Sequence, residues 1–309
     1  MGRPWPDRSS KAPSRRPASI CCSTHDFHEA PGGFRSLTTR ESTTPPIGDC
    51  RPRGAGRGHA KVQLMDGEQV ESMVIYQEVE DGAIAVVTLD RPEARNAQNK
   101  QMTYELNDAF TRAANTDSVK CIVLAANGPH FSAGHDLKGP GEYEAERVWV
   151  GGSTDRGGAE GLMAFEEEMY LHMCRRWHDI PKPTIAAVQG NVIAGGLMLM
   201  WVCDIIIAAD DASFRDMTVE FGVNGVEWFN HPWEFGIRKA KEWLFTGDAI
   251  DAEEAHRLGM VNHVVPRGEL NGFALAMAGR IAANPSFSLK LAKLAVNQTL
   301  DVQGFQLAQ

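Results

Sequence analysis

Thr184-Ile-Ala-Ala-Val-Gln-Gly-Asn-Val-Ile-Ala-Gly-Gly-Leu-Met-Leu-Met-Trp-Val-Cys-Asp-Ile-Ile-Ile-Ala-Ala209 is the stretch that decides the fold. Its two ends, Thr184–Val188 and Ile205–Ala209, are short, nearly unbroken apolar runs bounded by polar or turn residues, as expected of strands buried on both faces. Between them Gly190-Asn191 signals a turn, and Gly195-Gly196 opens a short apolar helix that runs to about Cys203. Strand, glycine-rich turn, helix and strand in this order predict an α/β core.

Upstream, Met73-Val-Ile-Tyr-Gln-Glu-Val-Glu80 and Ile84-Ala-Val-Val-Thr-Leu-Asp90 are β-rich runs joined across Asp81-Gly82, which predicts a hairpin. Met102, Leu106, Phe110 and Ala113 recur at helical spacing over Lys100–Ala114, and a further apolar strand follows at Cys121–Ala125. Gly139–Leu162, rich in glycine and charge, reads as a mobile surface loop. Downstream the pattern turns mostly helical. A late strand is expected within Leu258–Val265, and helices at Leu270–Ala283 and Pro285–Val296 are separated by Asn284-Pro285.

Residues 1–72 differ in kind. They hold half of the 16 prolines and show neither helical nor strand periodicity, so a disordered or non-native N-terminal extension is expected there. That segment carries 11 Lys/Arg against 8 Asp/Glu, about +3, whereas the rest carries 20 against 32, about −12. So acidic a body argues against nucleic-acid binding, and no apolar run approaches the roughly 20 residues of a membrane span. The six cysteines lack metal-type spacing, so no metal is expected, and free thiols in a soluble, cytoplasmic protein are the expectation.

Two segments carry chemistry. Gly128-Pro-His-Phe-Ser-Ala-Gly-His-Asp-Leu-Lys138 follows the Cys121–Ala125 strand, and its small residues let backbone N–H groups approach a ligand. Gly195-Gly196 stand where a helix begins, so unpaired N–H groups and the positive end of the helix dipole are available there. Either turn alone is weak, since such turns also serve close packing. Together they suggest a two-donor oxyanion hole.

These blocks, with Val87-Thr-Leu-Asp-Arg-Pro-Glu-Ala-Arg-Asn-Ala-Gln-Asn99, Leu244-Phe-Thr-Gly-Asp248 and Leu258-Gly-Met-Val-Asn262, resemble the crotonase (enoyl-CoA hydratase/isomerase) superfamily in order and approximate spacing. The resemblance runs from about residue 73 to the end. It implies a crotonase-like spiral of ββα units over 73–265, C-terminal helices over 266–309 that look shortened, and a homotrimer or hexamer. It implies an acyl-CoA substrate with no separate cofactor, the CoA being part of the substrate. The N–H groups of His135 and Gly195 would form the oxyanion hole. Glu93, Ala94 and Arg95 would lie along the CoA, and Ala133, Asp136 and Leu137 beside the acyl-CoA.

Members that hydrate enoyl-CoA use two glutamates, and the matching positions here hold Met198 and, by spacing, Thr218. The nearest substitutes are Glu220, Glu227 and Glu234. Glu227, after Asn224-Gly225 and flanked by Val226, Trp228 and Phe229, is the provisional acid/base. His231 reads rather as a structural histidine. The resemblance therefore implies an enoyl-CoA hydratase-like enzyme, with another crotonase reaction (isomerisation or thioester hydrolysis) or a non-catalytic acyl-CoA binder left open.

Overall fold

A computed structural model describes residues 61–63, 69–138, 143, 145–149 and 156–309. Most of the extension expected over 1–72, and much of the loop expected over Gly139–Leu162, fall outside these residues. Within the former, β1 (Lys61–Gln63) pairs antiparallel with β2 (Gln69–Glu71), a pairing that the sequence reading did not contain.

The hairpin forms as expected. β3 (Val74–Val79) and β4 (Ile84–Leu89) pair antiparallel, and the chain reverses through Glu80, Asp81 and Gly82, all at positive φ. α1 (Lys100–Asn115) starts at Asn99, whose side chain accepts the Met102 N–H at 3.0 Å and so satisfies one orphan donor of the first turn. β5 (Cys121–Ala126) follows. A long helix then runs as α2 (Ala159–Glu166), a π-helical segment (Glu167–His172) and α3 (Met173–His178).

β6 (Thr184–Val188), β7 (Asn191–Ile193), α4 (Gly195–Trp201), β8 (Ile205–Ala209) and β9 (Ser213–Arg215) come next. After them lie α5 (His231–Thr246), kinked at Phe235 and Gly236, then β10 (Ile250–Asp251), α6 (Ala252–Leu258) and β11 (His263–Val265). α7 (Leu270–Ala282), α8 (Ser286–Val302) and α9 (Phe305–Ala308) complete the described chain. The expected late strand is thus only its last three residues, because Leu258 closes α6 and Gly259, at φ +93°, caps it in the left-handed region.

The main sheet has the order β11-β8-β6-β5-β4-β3 and is parallel except for the β3/β4 edge. Its unbroken apolar runs are explained by packing on both faces. Along β5, Ile122 and Leu124 join the core cluster shared with α1, α3 and α4, while Cys121, Val123 and Ala125 join the cluster beneath α7. A second, smaller sheet, β10-β9-β7, sits where the chain leaves β6, and β7 there pairs in parallel with β9. Ser132 bridges to Val192 of β7, so the turn after β5 is tied to the edge of the small sheet. Lys293 pins α8 to the main sheet through Asp204 at 2.9 Å.

Candidate active site

Three segments converge at the C-terminal ends of β4, β5 and β6. The loop 91–98 is stitched to the turn after β5 by buried polar groups. The Asn96 side-chain amide donates to the carbonyls of Asn127 and His130, both at 2.9 Å. Ser132 donates its hydroxyl to the Asn96 carbonyl and accepts the Gly134 N–H. Gln98 then runs beside His135 as an isolated parallel bridge: the Gln98 N–H donates to the Gly134 carbonyl, and the Asp136 N–H to the Gln98 carbonyl, each at 2.8 Å. In such a bridge the flanking residues turn their polar groups to the partner. The N–H of His135 itself therefore points to the opposite side.

On that opposite side stands Gly195, the first residue of α4, whose N–H has no acceptor one turn back. A Cβ placed on Gly134, at φ +89°, would lie 2.8 Å from the Ile193 carbonyl oxygen and 3.2 Å from the Gly195 nitrogen. A Cβ placed on Gly195 would come within 2.6 Å of the His135 ring. The two turns approach so closely that both positions require glycine. Ala194, which immediately precedes, is held at φ +45°, a conformation costing a non-glycine residue about 1–3 kcal/mol; its N–H is fixed to the Arg215 carbonyl at 2.9 Å.

The side chains around the two N–H groups belong to distant segments. The His135 ring stacks on Tyr170 of the π-segment, with centroids 3.7 Å apart, and its Nε2 lies 3.4 Å from a Glu227 carboxylate oxygen. His135 Nδ1 is buried and has no hydrogen-bond partner among the described residues. Glu227 keeps 28% of its side chain exposed between buried Val226 and Trp228. Beside these groups a cavity of about 160 Å³ is lined by Gln98, Thr103, Asp136, Phe165, Met169 and Tyr170. A larger cleft of about 560 Å³ lies elsewhere, between α1 and α3, and holds none of the residues anticipated from the sequence.

The other anticipated residues are placed less directly. Glu93 and Arg95 are exposed on the turn over Pro92–Ala94, Ala94 is half-buried, and the Arg95 carbonyl takes the Ala133 N–H at 2.9 Å. Leu137 is exposed at the mouth of the small cavity. The Asp136 carboxylate is committed to Arg91 at 2.7 Å and to the Lys138 N–H at 3.1 Å. Partial burial would raise its pKa, but these partners outweigh that and hold it below the usual carboxylate range.

Met198 and Thr218 stand where two glutamates were looked for. Met198 is buried in the apolar core. The Thr218 hydroxyl and N–H both donate to Asp216 Oδ1, at 2.6 and 2.9 Å, and so brace the loop that leads to Glu227. His231 is fully buried, with Nε2 2.8 Å from Asp216 Oδ2, and takes a structural place. Glu220 pairs with Arg215 at 2.6 Å. Desolvation at the start of α5 pushes Glu234 up to about 7, although Asn230 donates to it. Sequence reasoning missed Asp216 and Tyr170, since each meets the site only across a long chain separation.

Compared with known proteins, the description of the enoyl-CoA hydratase/isomerase family matches residues 79–308. A Mycobacterium tuberculosis protein named enoyl-CoA hydratase EchA13 is 46% identical over 242 residues, 75% of this chain and 76% of that protein. A 4-chlorobenzoyl coenzyme A dehalogenase from Arthrobacter is 32% identical over 212 residues, 68% of this chain and 73% of the dehalogenase. The crystal structure of a probable enoyl-CoA hydratase from Mycobacterium thermoresistibile superimposes with a TM-score of 0.69 at 52% identity, covering 76% of this chain and 91% of that one.

Proposed function

Because this chain belongs to the enoyl-CoA hydratase/isomerase family and so has the crotonase fold, we propose that it adds water across the 2,3-double bond of an acyl-CoA thioester through an enolate. The observation that carries this reading is the placement of Glu227 against His135, beside the N–H groups of His135 and Gly195, for which no acceptor stands among the described residues. The thioester oxygen would sit between the N–H groups of His135 and Gly195. Their hydrogen bonds strengthen as the oxygen gains enolate charge, which lowers the barrier rather than merely tightening binding. Glu227 takes the proton of the attacking water, and His135 Nε2 orients its carboxylate.

Glu93, Ala94 and Arg95 lie along the CoA, and Ala133, Asp136 and Leu137 form the entrance beside the thioester. Asp136 serves there by shaping the turn, since Arg91 already occupies its charge. The working unit is a cytoplasmic homotrimer or hexamer, supported by the exposed apolar residues of α8.

The test is turnover of crotonyl-CoA and longer 2-enoyl-CoAs, with Glu227→Gln beside the wild type. A loss in kcat of about 10²–10⁴-fold, with CoA-ester affinity kept, is expected of a missing general base. Undiminished turnover in the variant would remove Glu227 from the mechanism. A second reading draws on the dehalogenase relative: a carboxylate against the acyl pocket can attack as a nucleophile instead of activating water. Trapping an acyl- or aryl-enzyme adduct on Glu227 by mass spectrometry would select that reading.

A further inference from the structure

We infer that the cleft between α1 and α3 is a second ligand site, one that takes a nucleoside monophosphate with its phosphate on Arg175 and Arg176 and its base against Trp149. The inference is independent of the reaction proposed above, and none of the residues given a part in that reaction lines this cleft.

Two helix faces make its walls. Asn107, Phe110, Thr111 and Ala114 follow one another at i, i+3, i+4 and i+7 along α1. His172, Arg175, Arg176 and Asp179 repeat that spacing from the end of the π-segment through the end of α3. Residues so spaced share one face of a helix, so each wall turns a row of side chains to the same space. Phe110 and Trp177, with ring centroids 5.5 Å apart, supply with Ile180 the buried apolar part of the lining. The volume of about 560 Å³ suits an organic ligand of drug size and far exceeds what a single ion needs.

The chain has a net charge of −9, yet neither arginine meets a carboxylate among the described residues. The Arg175 side chain makes no hydrogen bond or ion pair there, and the Arg176 side chain makes one, from Nε to the neutral Asn107 Oδ1 at 3.3 Å. Asp179 lies within reach along the same face but pairs with His178 Nδ1 at 2.9 Å instead. Two neighbouring guanidiniums without an anion offer the forked donors that match the oxygens of a phosphate. The helix dipole favours basic residues in a last turn, but it does not require both of them to line one cleft.

The aromatic part of the site is fixed from behind. The Trp149 ring stacks on His172 at 3.5 Å, and Trp149 still keeps 41% of its surface exposed. The N–H groups of Val148 and Trp149 donate to the buried Glu168 carboxylate at 2.8 and 2.9 Å, which anchors the backbone under the indole. Burial lowers the His172 pKa, Glu167 opposes that shift and Arg175 reinforces it, so the imidazole is mainly neutral at pH 7 and belongs to the aromatic wall. An anchored, partly open indole is a platform on which any base stacks. Asp179 is the acceptor for a ribose hydroxyl, the part that acids take in other nucleotide sites. A simple aromatic acid would use the arginines and the indole but bring no hydroxyl to Asp179.

Calorimetric titration of the full-length protein with AMP, GMP, CMP and UMP tests the site, with the matching nucleosides, inorganic phosphate and benzoate as partial ligands. Wild type is expected to bind at least one monophosphate about ten-fold or more tightly than any partial ligand. Arg175→Gln combined with Arg176→Gln should weaken that binding at least about ten-fold, because charge-assisted hydrogen bonds are lost. Trp149→Ala should weaken it about five-fold or more through lost stacking. Both variants should keep butyryl-CoA affinity within about two-fold, which separates this cleft from the CoA contacts proposed along Glu93, Ala94 and Arg95.

Wild type that binds no nucleoside monophosphate overturns the inference, and so does wild-type nucleotide affinity in the double arginine variant. Inorganic phosphate, a nucleoside or benzoate bound as tightly as the nucleotide overturns it as well. Nucleotide and butyryl-CoA affinity lost together, in a variant that keeps the wild-type melting temperature, would put the nucleotide in the CoA site and overturn it too. Should the arginine variant fail to fold, Trp149→Ala at the exposed rim decides: weakened nucleotide binding supports the site, and unchanged binding overturns it. Wild type that binds nucleotide but no butyryl-CoA contradicts the acyl-CoA reading alone.

Discussion

Asp216 and His231 meet at 2.8 Å with both side chains fully shielded from water. Asp216 also accepts the Thr218 N–H and hydroxyl and, at 3.3 Å, the Val226 N–H, so a single carboxylate ties both ends of the loop that presents Glu227. Burial would raise its pKa, but the bonds from His231 and Thr218 prevail and hold it below the ordinary value. A depressed carboxylate contributes stability that is present above its unfolded pKa of about 4 and lost as the pH falls through the lower folded value. Asp216→Asn should therefore cost about 3–5 kcal/mol near neutrality, as expected for breaking a buried pair, and should flatten the loss of stability below pH 4. Urea unfolding of wild type and variant from pH 3 to 7 checks both; equal slopes in acid would contradict the assignment. Little of this was legible in the sequence. A lone histidine reads as structural, but its acid stands fifteen positions earlier, directly after a three-residue strand, and no spacing rule joins them. The close approach of the two turns proposed to hold the oxyanion was legible because the need for small residues at Gly134 and Gly195 is written into the sequence. By the same reasoning Gly195→Ala, whose Cβ would meet the His135 ring and displace the N–H pair while keeping both groups, should lower kcat on an accepted acyl-CoA, by up to the roughly 10²–10³-fold of a donor lost outright. Steady-state kinetics with that substrate would show it.

At the scale of elements, the loop 216–230 is clamped from the far side by α9. Phe305 is buried, edge-on to Trp228 at 5.3 Å and to Trp233 at 5.1 Å, and the Gln309 side chain exchanges hydrogen bonds with the backbone of Phe229 at 2.9 and 3.3 Å. Trp228 adjoins Glu227, so the helix that follows α8 sets the position of the proposed base. Phe305→Ala should cost about 3–5 kcal/mol, as aromatic truncations in a core do, and should lower kcat more than it raises KM, because the carboxylate loses its aim rather than the substrate its pocket. Thermal unfolding and steady-state kinetics on an accepted acyl-CoA measure the two effects; stability lost with kcat retained would show that α9 only packs. β3, β4, β5, β6 and β8 of the main sheet were read almost residue for residue, since an apolar run buried on both faces has few alternatives at that length, whereas β11 and the two- and three-residue strands outside that sheet were not. The π-segment was not, because Glu167–His172 lies after the expected loop in a stretch to which no element was assigned, and a turn wider by one residue leaves no mark in hydrophobic spacing. α8 was expected to end near Val296 but runs to Val302, since no glycine or proline stops it before Gly304.

For the whole molecule, α8 poses the question of assembly. Among its described residues none is buried, yet Phe287, Leu291 and Leu294 lie at positions i, i+4 and i+7 and form an apolar stripe along one face. Lys293 holds the helix to the sheet through Asp204, so the stripe is presented on a fixed scaffold. Val296, Val302 and Leu307 extend the exposed apolar surface at the same end. Soluble monomers seldom leave such a stripe open to water, and each leucine side chain fully covered by a partner contributes about 1.5–3 kcal/mol. A symmetric oligomer covers the same stripe in every protomer, which fits the trimer or hexamer proposed above. Introducing charge at the stripe, as in Leu291→Glu with Leu294→Glu, should shift the sedimentation-equilibrium mass from an oligomer towards the 33.9 kDa chain while leaving far-UV circular dichroism unchanged. A wild type that sediments as a monomer would leave the stripe without this explanation. A double variant that keeps the oligomer mass would place the subunit contact on another face.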